Sequence, residues 1–97
     1  MKVDYSRDFI SKLKETDVRI RKSFREKIAI FQENPNEPSL NNHQLRYPYQ
    51  GLRSIDITND YRAIYEEMTV GEETVAYFVI LGTHDELYGK DKNLLES

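Results

Sequence analysis

The chain has no cysteine and no tryptophan, and only two histidines, four glycines and three prolines among its 97 residues. Without cysteine there is no disulfide, no thiol nucleophile and no thiolate zinc site, so packing alone has to hold the fold. Two histidines supply a metal poorly, and no metal or cofactor is expected. No apolar run approaches the roughly 20 residues that span a bilayer, and nothing at the start reads as a leader peptide. The expectation is a cytoplasmic protein without membrane contact. Positive charge is not in excess either: 14 Lys and Arg stand against 17 Asp and Glu, a net charge of -3. That balance disfavours nonspecific attraction to nucleic acid, which arises from cations neutralising phosphates.

What is there is 38% hydrophobic and 32% charged residues, with a mean hydropathy of -0.74. This is the composition of a soluble globular domain with a thin core. A chain of this size buries roughly 60 to 65% of its unfolded surface and has room for one domain, residues 1–97. The charges are unevenly spread. Arg19, Arg21, Lys22, Arg25 and Lys27 form a basic block against Glu26 alone, while Glu66, Glu67, Glu72, Glu73, Asp85, Glu86 and Glu96 gather acid elsewhere. The plainer reading of the basic block is a solvated helix face.

Along the chain, Lys2-Val3-Asp4-Tyr5 alternates as a short edge strand does. Ser6 suits a helix N-cap, because its hydroxyl can accept from an unpaired first-turn amide, and Phe9, Ile10 and Leu13 follow at helical spacing over residues 7–15. Thr16 or Asp17 caps a second helix in which Ile20, Phe24, Ile28 and Phe31 make an apolar stripe, widened by Val18 and Ile30. Asn34-Pro35-Asn36-Glu37-Pro38 ends it, since proline removes an amide donor. Residues 35–50 read as a long polar loop, and a loop of that length in so small a domain is functional or mobile. From Gly51 the period is two. Leu52, Ser54 and Asp56 fall on one side, Arg53, Ile55 and Ile57 on the other. Turn chemistry at residues 58–60 precedes a strand at 61–66, and a turn at 70–73 precedes an apolar strand at 74–81 suited to the sheet centre. The first turn leaves the register open: either Ile55 or Asp56 lies opposite Arg62, and one slipped residue reverses every side chain. Residues 91–97 are expected to fray. The layout is α+β: two N-terminal antiparallel helices packed on one face of a twisted, three- to four-stranded, mainly antiparallel sheet.

The chemistry lies in a few side chains. Histidine has an unperturbed pKa of about 6.5, so His43 and His84 can give or take a proton at neutral pH. Asp56 and Asp60 can supply a carboxylate base. Arg53 and Arg62 sit in strands among apolar neighbours, where a guanidinium requires a carboxylate or phosphate partner. Tyr47, Tyr49, Tyr61 and Tyr88 offer ring faces on which bases can stack. Together these are the parts for metal-free RNA cleavage, in which a base activates the 2'-hydroxyl, cations hold the phosphate and an acid protonates the leaving 5'-oxygen. Each has a duller reading. Lone histidines are commonly loop residues, Asp60 suits a turn for its backbone hydrogen bonds, the arginines suit strand ion pairs with Asp56 or Glu66, and the tyrosines can be filler.

Gly51-Leu52-Arg53, then Asp60-Tyr61-Arg62-Ala63-Ile64-Tyr65, then Gly82-Thr83-His84 with Leu87-Tyr88-Gly89, resembles the RelE/ParE superfamily of bacterial toxins, most of all its YafQ branch. The resemblance implies a toxin of a type II toxin–antitoxin module that cleaves mRNA in the ribosomal A site, contacts ribosomal RNA, and is bound by a cognate antitoxin in a hetero-oligomer. By the same resemblance His84 is the general acid or acid/base, and His43 positions or deprotonates the nucleophile. Asp60 is a base or orienter of a histidine, Arg62 stabilises the phosphorane, Arg53 fits a strand arginine of the family that follows a glycine, and Tyr88 stacks on a base; apart from the resemblance, Arg46 and Tyr47 in the polar loop are candidates to hold RNA. Two features depart from the branch. Asp56 stands where it carries a histidine, and the chain is acidic where members are basic. The alternatives are a non-catalytic ParE-like inhibitor of DNA gyrase, and a degenerate member that binds only RNA or an antitoxin.

Overall fold

The structure is a computed structural model, and it describes residues 1–89; the expected fraying at 91–97 lies outside them. Strand β1 (Lys2–Tyr5) leads directly into helix α1 (Arg7–Glu15) through Ser6. The Ser6 hydroxyl accepts from the Phe9 amide at 3.0 Å, and the Ser6 amide donates to the Phe78 carbonyl at 2.9 Å. One residue thus caps the helix and stitches it to the sheet. Helix α2 (Val18–Glu33) is capped by Asp17, whose carboxylate accepts from the Arg19 and Ile20 amides. Thr16 is instead the C-cap of α1, and its hydroxyl bonds the Leu13 carbonyl at 2.7 Å. The buried stripe of α2 is Phe24, Ile28 and Phe31. It is narrower than expected: Val18 is 64% and Ile30 36% exposed, because each lies about 120° round the helix from Phe24.

A 3-10 turn (Pro38–Leu40) follows, then β2 (His43–Gln44), β3 (Arg53–Asp56), β4 (Tyr61–Val70), β5 (Glu73–Thr83) and α3 (His84–Tyr88). The sheet has five strands, in the order β1-β5-β4-β3-β2, so the expectation of three or four is corrected. The extra strand is β2. His43, expected in a loop, pairs with Ser54, and Gln44 with Arg53. β1 runs parallel to β5 and all other pairs are antiparallel. β5 is interior, as its apolar run requires, although β4 takes the middle. Both outlast the strands read from sequence.

Each face of the sheet has its own apolar cluster. Under α1 and α2 lie Phe9, Phe24, Phe31, Leu40, Ile55, Ala63, Tyr65 and Phe78. On the opposite face Ile64 meets Leu45, Leu87 and Tyr88. A register shift beside Ile64, where Tyr65 pairs with Phe78 and Ile64 with Ile80, leaves Val79 unmatched and puts it with Ile80 in the second cluster. Helix α3 and residues 45–52 therefore close one end of a face that the helices leave bare.

Candidate active site

Side chains directly opposite in a ladder share a face. His43 lies opposite Ser54, Ser54 opposite Ile64, and in the next row Asp56 opposite Arg62 and Arg62 opposite Gly82. The register left open by the sequence is therefore the one that pairs Asp56 with Arg62. It puts His43, Asp56 and Arg62 together on the face away from α1 and α2. Helix α3 folds back over the same face: a Cβ added to Gly82 would come within 3.3 Å of the Leu87 side chain, closer than ordinary contact. The glycine is what lets this helix, which begins at His84, lie flat on the strands.

A chain of polar contacts joins the first three groups through Asn41, which closes the 3-10 turn in the left-handed conformation (φ 48°) that asparagine tolerates. Its carbonyl lies 2.7 Å from His43 Nδ1. A carbonyl oxygen only accepts, so the proton is on Nδ1 and the lone pair of the neutral ring is on Nε2. The Asn41 amide reaches Asp56 Oδ2 at 3.5 Å, and Asp56 Oδ1 lies 3.0 Å from Arg62 Nε. That last contact is an attraction of charges and not a well-aligned hydrogen bond. The pair is largely sheltered, with side-chain exposures of 13% for Arg62 and 27% for Asp56. Arg62 Nη1 also donates to the carbonyls of Thr58 (3.0 Å), Asn59 (3.1 Å) and Tyr61 (3.2 Å). The guanidinium thus braces the β3–β4 turn, with its Nε and Nη1 already engaged.

Asp60 is exposed at that turn, and its amide is 3.2 Å from Thr58 Oγ1. Its carbonyl accepts the His84 amide at 2.8 Å, which hangs the start of α3 from the turn. Thr83 and Glu86 form a capping box: Thr83 Oγ1 accepts from the Glu86 amide (3.1 Å) and Glu86 Oε1 from the Thr83 amide (2.9 Å). Glu86 Oε2 also meets Lys12 Nζ at 2.9 Å, tying α3 to α1. The Thr83 amide, then Lys12, hold the Glu86 carboxyl below its ordinary value, and the bond to Glu86 raises Lys12. The His84 ring stands edge-on to Tyr88 with centroids 4.4 Å apart, one helical turn away. Tyr88 is only 4% exposed and also meets Tyr49. The expectation of a free Tyr88 face for a base is corrected: the ring is buried in the second cluster and backs His84.

The remaining predicted residues lie elsewhere. Arg53 shares the helix-side face with Tyr65. Its Nε donates to Asn42 at 2.8 Å, and Asn42 in turn donates to the Tyr65 hydroxyl at 2.8 Å, where burial pushes the phenol up. Among the described residues Arg53 has no carboxylate at ion-pair distance. With Arg46, Tyr47, Gln44, Gln50 and Glu67 it lines an open concavity of about 700 Å³, and Tyr47 is 75% exposed there. The predicted set is thus divided between two surfaces, with acid/base groups on one and Arg46, Tyr47 and Arg53 round the other. Sequence reasoning passed over Asn41, Asn42, Lys12 and Glu86, which hold the others in place. The capping box at Thr83 and Glu86 was the one legible signal. No group of three or more His, Asp or Glu placed to hold a metal occurs among the described residues.

Residues 3–88 match the family model described as the ParE toxin of the type II toxin–antitoxin system parDE. No curated protein matches the chain by sequence. Among solved structures, YafQ from E. coli strain BL21(DE3) superposes with a TM-score of 0.72 at 22% identity, covering 91% of this chain and 98% of its own. The YoeB/ParE toxin from Agrobacterium tumefaciens gives 0.69 at 20%, covering 87% and 99%. The RelB–RelE antitoxin–toxin complex from Methanococcus jannaschii gives 0.56 at 21%, covering 87% and 93%. At these identities the structural likeness establishes the fold, while the family match extends over nearly the whole chain. The chain belongs to the RelE/ParE superfamily of type II toxin–antitoxin toxins.

Proposed function

We propose that this toxin is an endoribonuclease that cleaves mRNA in the ribosomal A site without a metal, and that a cognate antitoxin neutralises it. The observation that carries this reading is the arrangement of His43, Asp56 and Arg62 on one sheet face with the His84 helix folded onto it. His43, with its lone pair on Nε2, takes the proton of the 2'-hydroxyl. The O2'–P bond forms as the P–O5' bond breaks, and His84 gives its proton to the departing 5'-oxygen. Asp56 and Asn41 fix the His43 side of the site, and Asp60 fixes the start of α3. Arg62 holds the turn and offers positive charge to the phosphorane. Arg46, Arg53 and Tyr47 hold the strand away from the scissile bond, with Tyr47 stacking a base. The antitoxin is supported by the RelB–RelE relative, which is an antitoxin–toxin complex.

Removing a general acid costs about 10²- to 10⁴-fold in rate. His84→Ala should therefore restore growth to cells expressing the protein and leave transcripts intact, with the melting transition unchanged. Undiminished toxicity of the variant would remove His84 from the reaction. The ParE family match favours a second reading, inhibition of DNA gyrase without catalysis. In that case induced cells show DNA damage while their transcripts stay stable.

A further inference from the structure

We propose that the outer edge of β4 over residues 66–70 receives an extended, basic segment of a partner protein as a sixth strand. β4 pairs with β5 from Tyr61 to Val70, but with β3 only from Arg62 to Tyr65. From residue 66 onward its other edge has no backbone partner among the described residues. An open edge presents a row of unpaired N–H and C=O groups and is a template for another strand. Beyond the start of β3, the concavity of about 700 Å³ lies between Gly51, Arg53 and Glu67. An incoming strand therefore continues the line of β3 for about 17 Å, five residues at roughly 3.3 Å each.

The side chains along this edge say what kind of strand fits. Met68 is 40% and Val70 60% exposed, and both share a face with Glu66, so the segment needs an apolar residue at alternate positions. Glu66, Glu67, Glu72 and Glu73 crowd the same hairpin, and of these only Glu73 has a cation, Lys2 at 3.2 Å, among the described residues. Carboxylates without a cation among the described residues disfavour a second copy of the chain edge to edge, and attract Lys and Arg. A strand seated here also covers the mouth of the Arg46, Tyr47 and Arg53 concavity, which would block a nucleic acid from it. Strand addition is read from the backbone, so the inference stands or falls independently of cleavage.

The test is amide hydrogen exchange and ¹H–¹⁵N shift mapping of the full-length chain titrated with a synthetic nine-residue peptide of alternating Lys and Val. Slowed exchange confined to residues 66–70 is expected, and Glu66→Lys with Glu67→Lys should weaken binding about tenfold without altering the melting transition. Four outcomes overturn the proposal. They are no protection, equal binding of a Lys–Gly peptide without protection, protection that appears without peptide as protein concentration rises, and the same protection from an RNA oligonucleotide.

Discussion

At the scale of single residues, the most consequential side chain outside the two imidazoles is Arg62. Its guanidinium meets one carboxylate and three carbonyls at the β3–β4 turn, a fork that lysine cannot reproduce. Arg62→Ala leaves Asp56 sheltered without its cation and three turn carbonyls without their donor. The expected loss is about 1–3 kcal/mol in urea unfolding, with Arg62→Lys recovering only part. A loss under about 0.5 kcal/mol would mean the brace carries no weight and would return the residue to a purely phosphate-facing role. Arg53 shows the opposite situation, a guanidinium met by the neutral Asn42 amide beside an open concavity. The sequence marked both arginines as charges in need of partners. The choice of partner rests on strand register, because a single residue of slip exchanges the faces.

At the scale of elements, α3 is the joint on which the proposed chemistry turns. Five residues make a helix that is marginal by itself, and three ties hold it: the capping box, the Lys12–Glu86 pair and the His84 amide on the Asp60 carbonyl. Glu86 serves two of them. Its folded-state pKa is depressed below the ordinary 4.5, so its contribution is present above the unfolded value and is lost as pH falls through the folded one. Acid should therefore loosen α3 before it melts the sheet. Glu86→Gln keeps the cap but not the charge, and the fall in Tm on acidification should be shallower in the variant. The difference should stay within about 1 kcal/mol because the group is largely exposed. Parallel Tm curves for the two proteins would sink this account. The helix itself was not among the elements read from sequence, since so short an apolar pattern has no helical period to detect.

At the scale of the whole molecule, stability concentrates where the two helices meet the sheet. Phe78 is fully buried, with ring centroids of Tyr5, Phe9, Phe31 and Tyr65 all within 5.8 Å. It joins β1, α1, α2 and β4 in one aromatic cluster, so Phe78→Ala should cost about 3–5 kcal/mol, a large part of a small domain's total of about 5–15 kcal/mol. A loss under about 1.5 kcal/mol would show that the cluster repacks. Composition and local pattern alone determined much of this protein. Period 3.6 gave way to period 2 near Gly51, Ser6 and Asp17 suited helix caps, and proline stopped α2, so helices before strands could be read directly. These are interactions between near neighbours in the chain, and near neighbours are what a linear pattern records. Only the tertiary structure decided that Asp56 faces Arg62, that Tyr88 lies inside, and that the predicted site residues divide between two surfaces. Those outcomes depend on contacts between distant segments, where pairing register, the Val79 irregularity and the fold-back of α3 over Gly82 select one arrangement among several that the same sequence pattern allows.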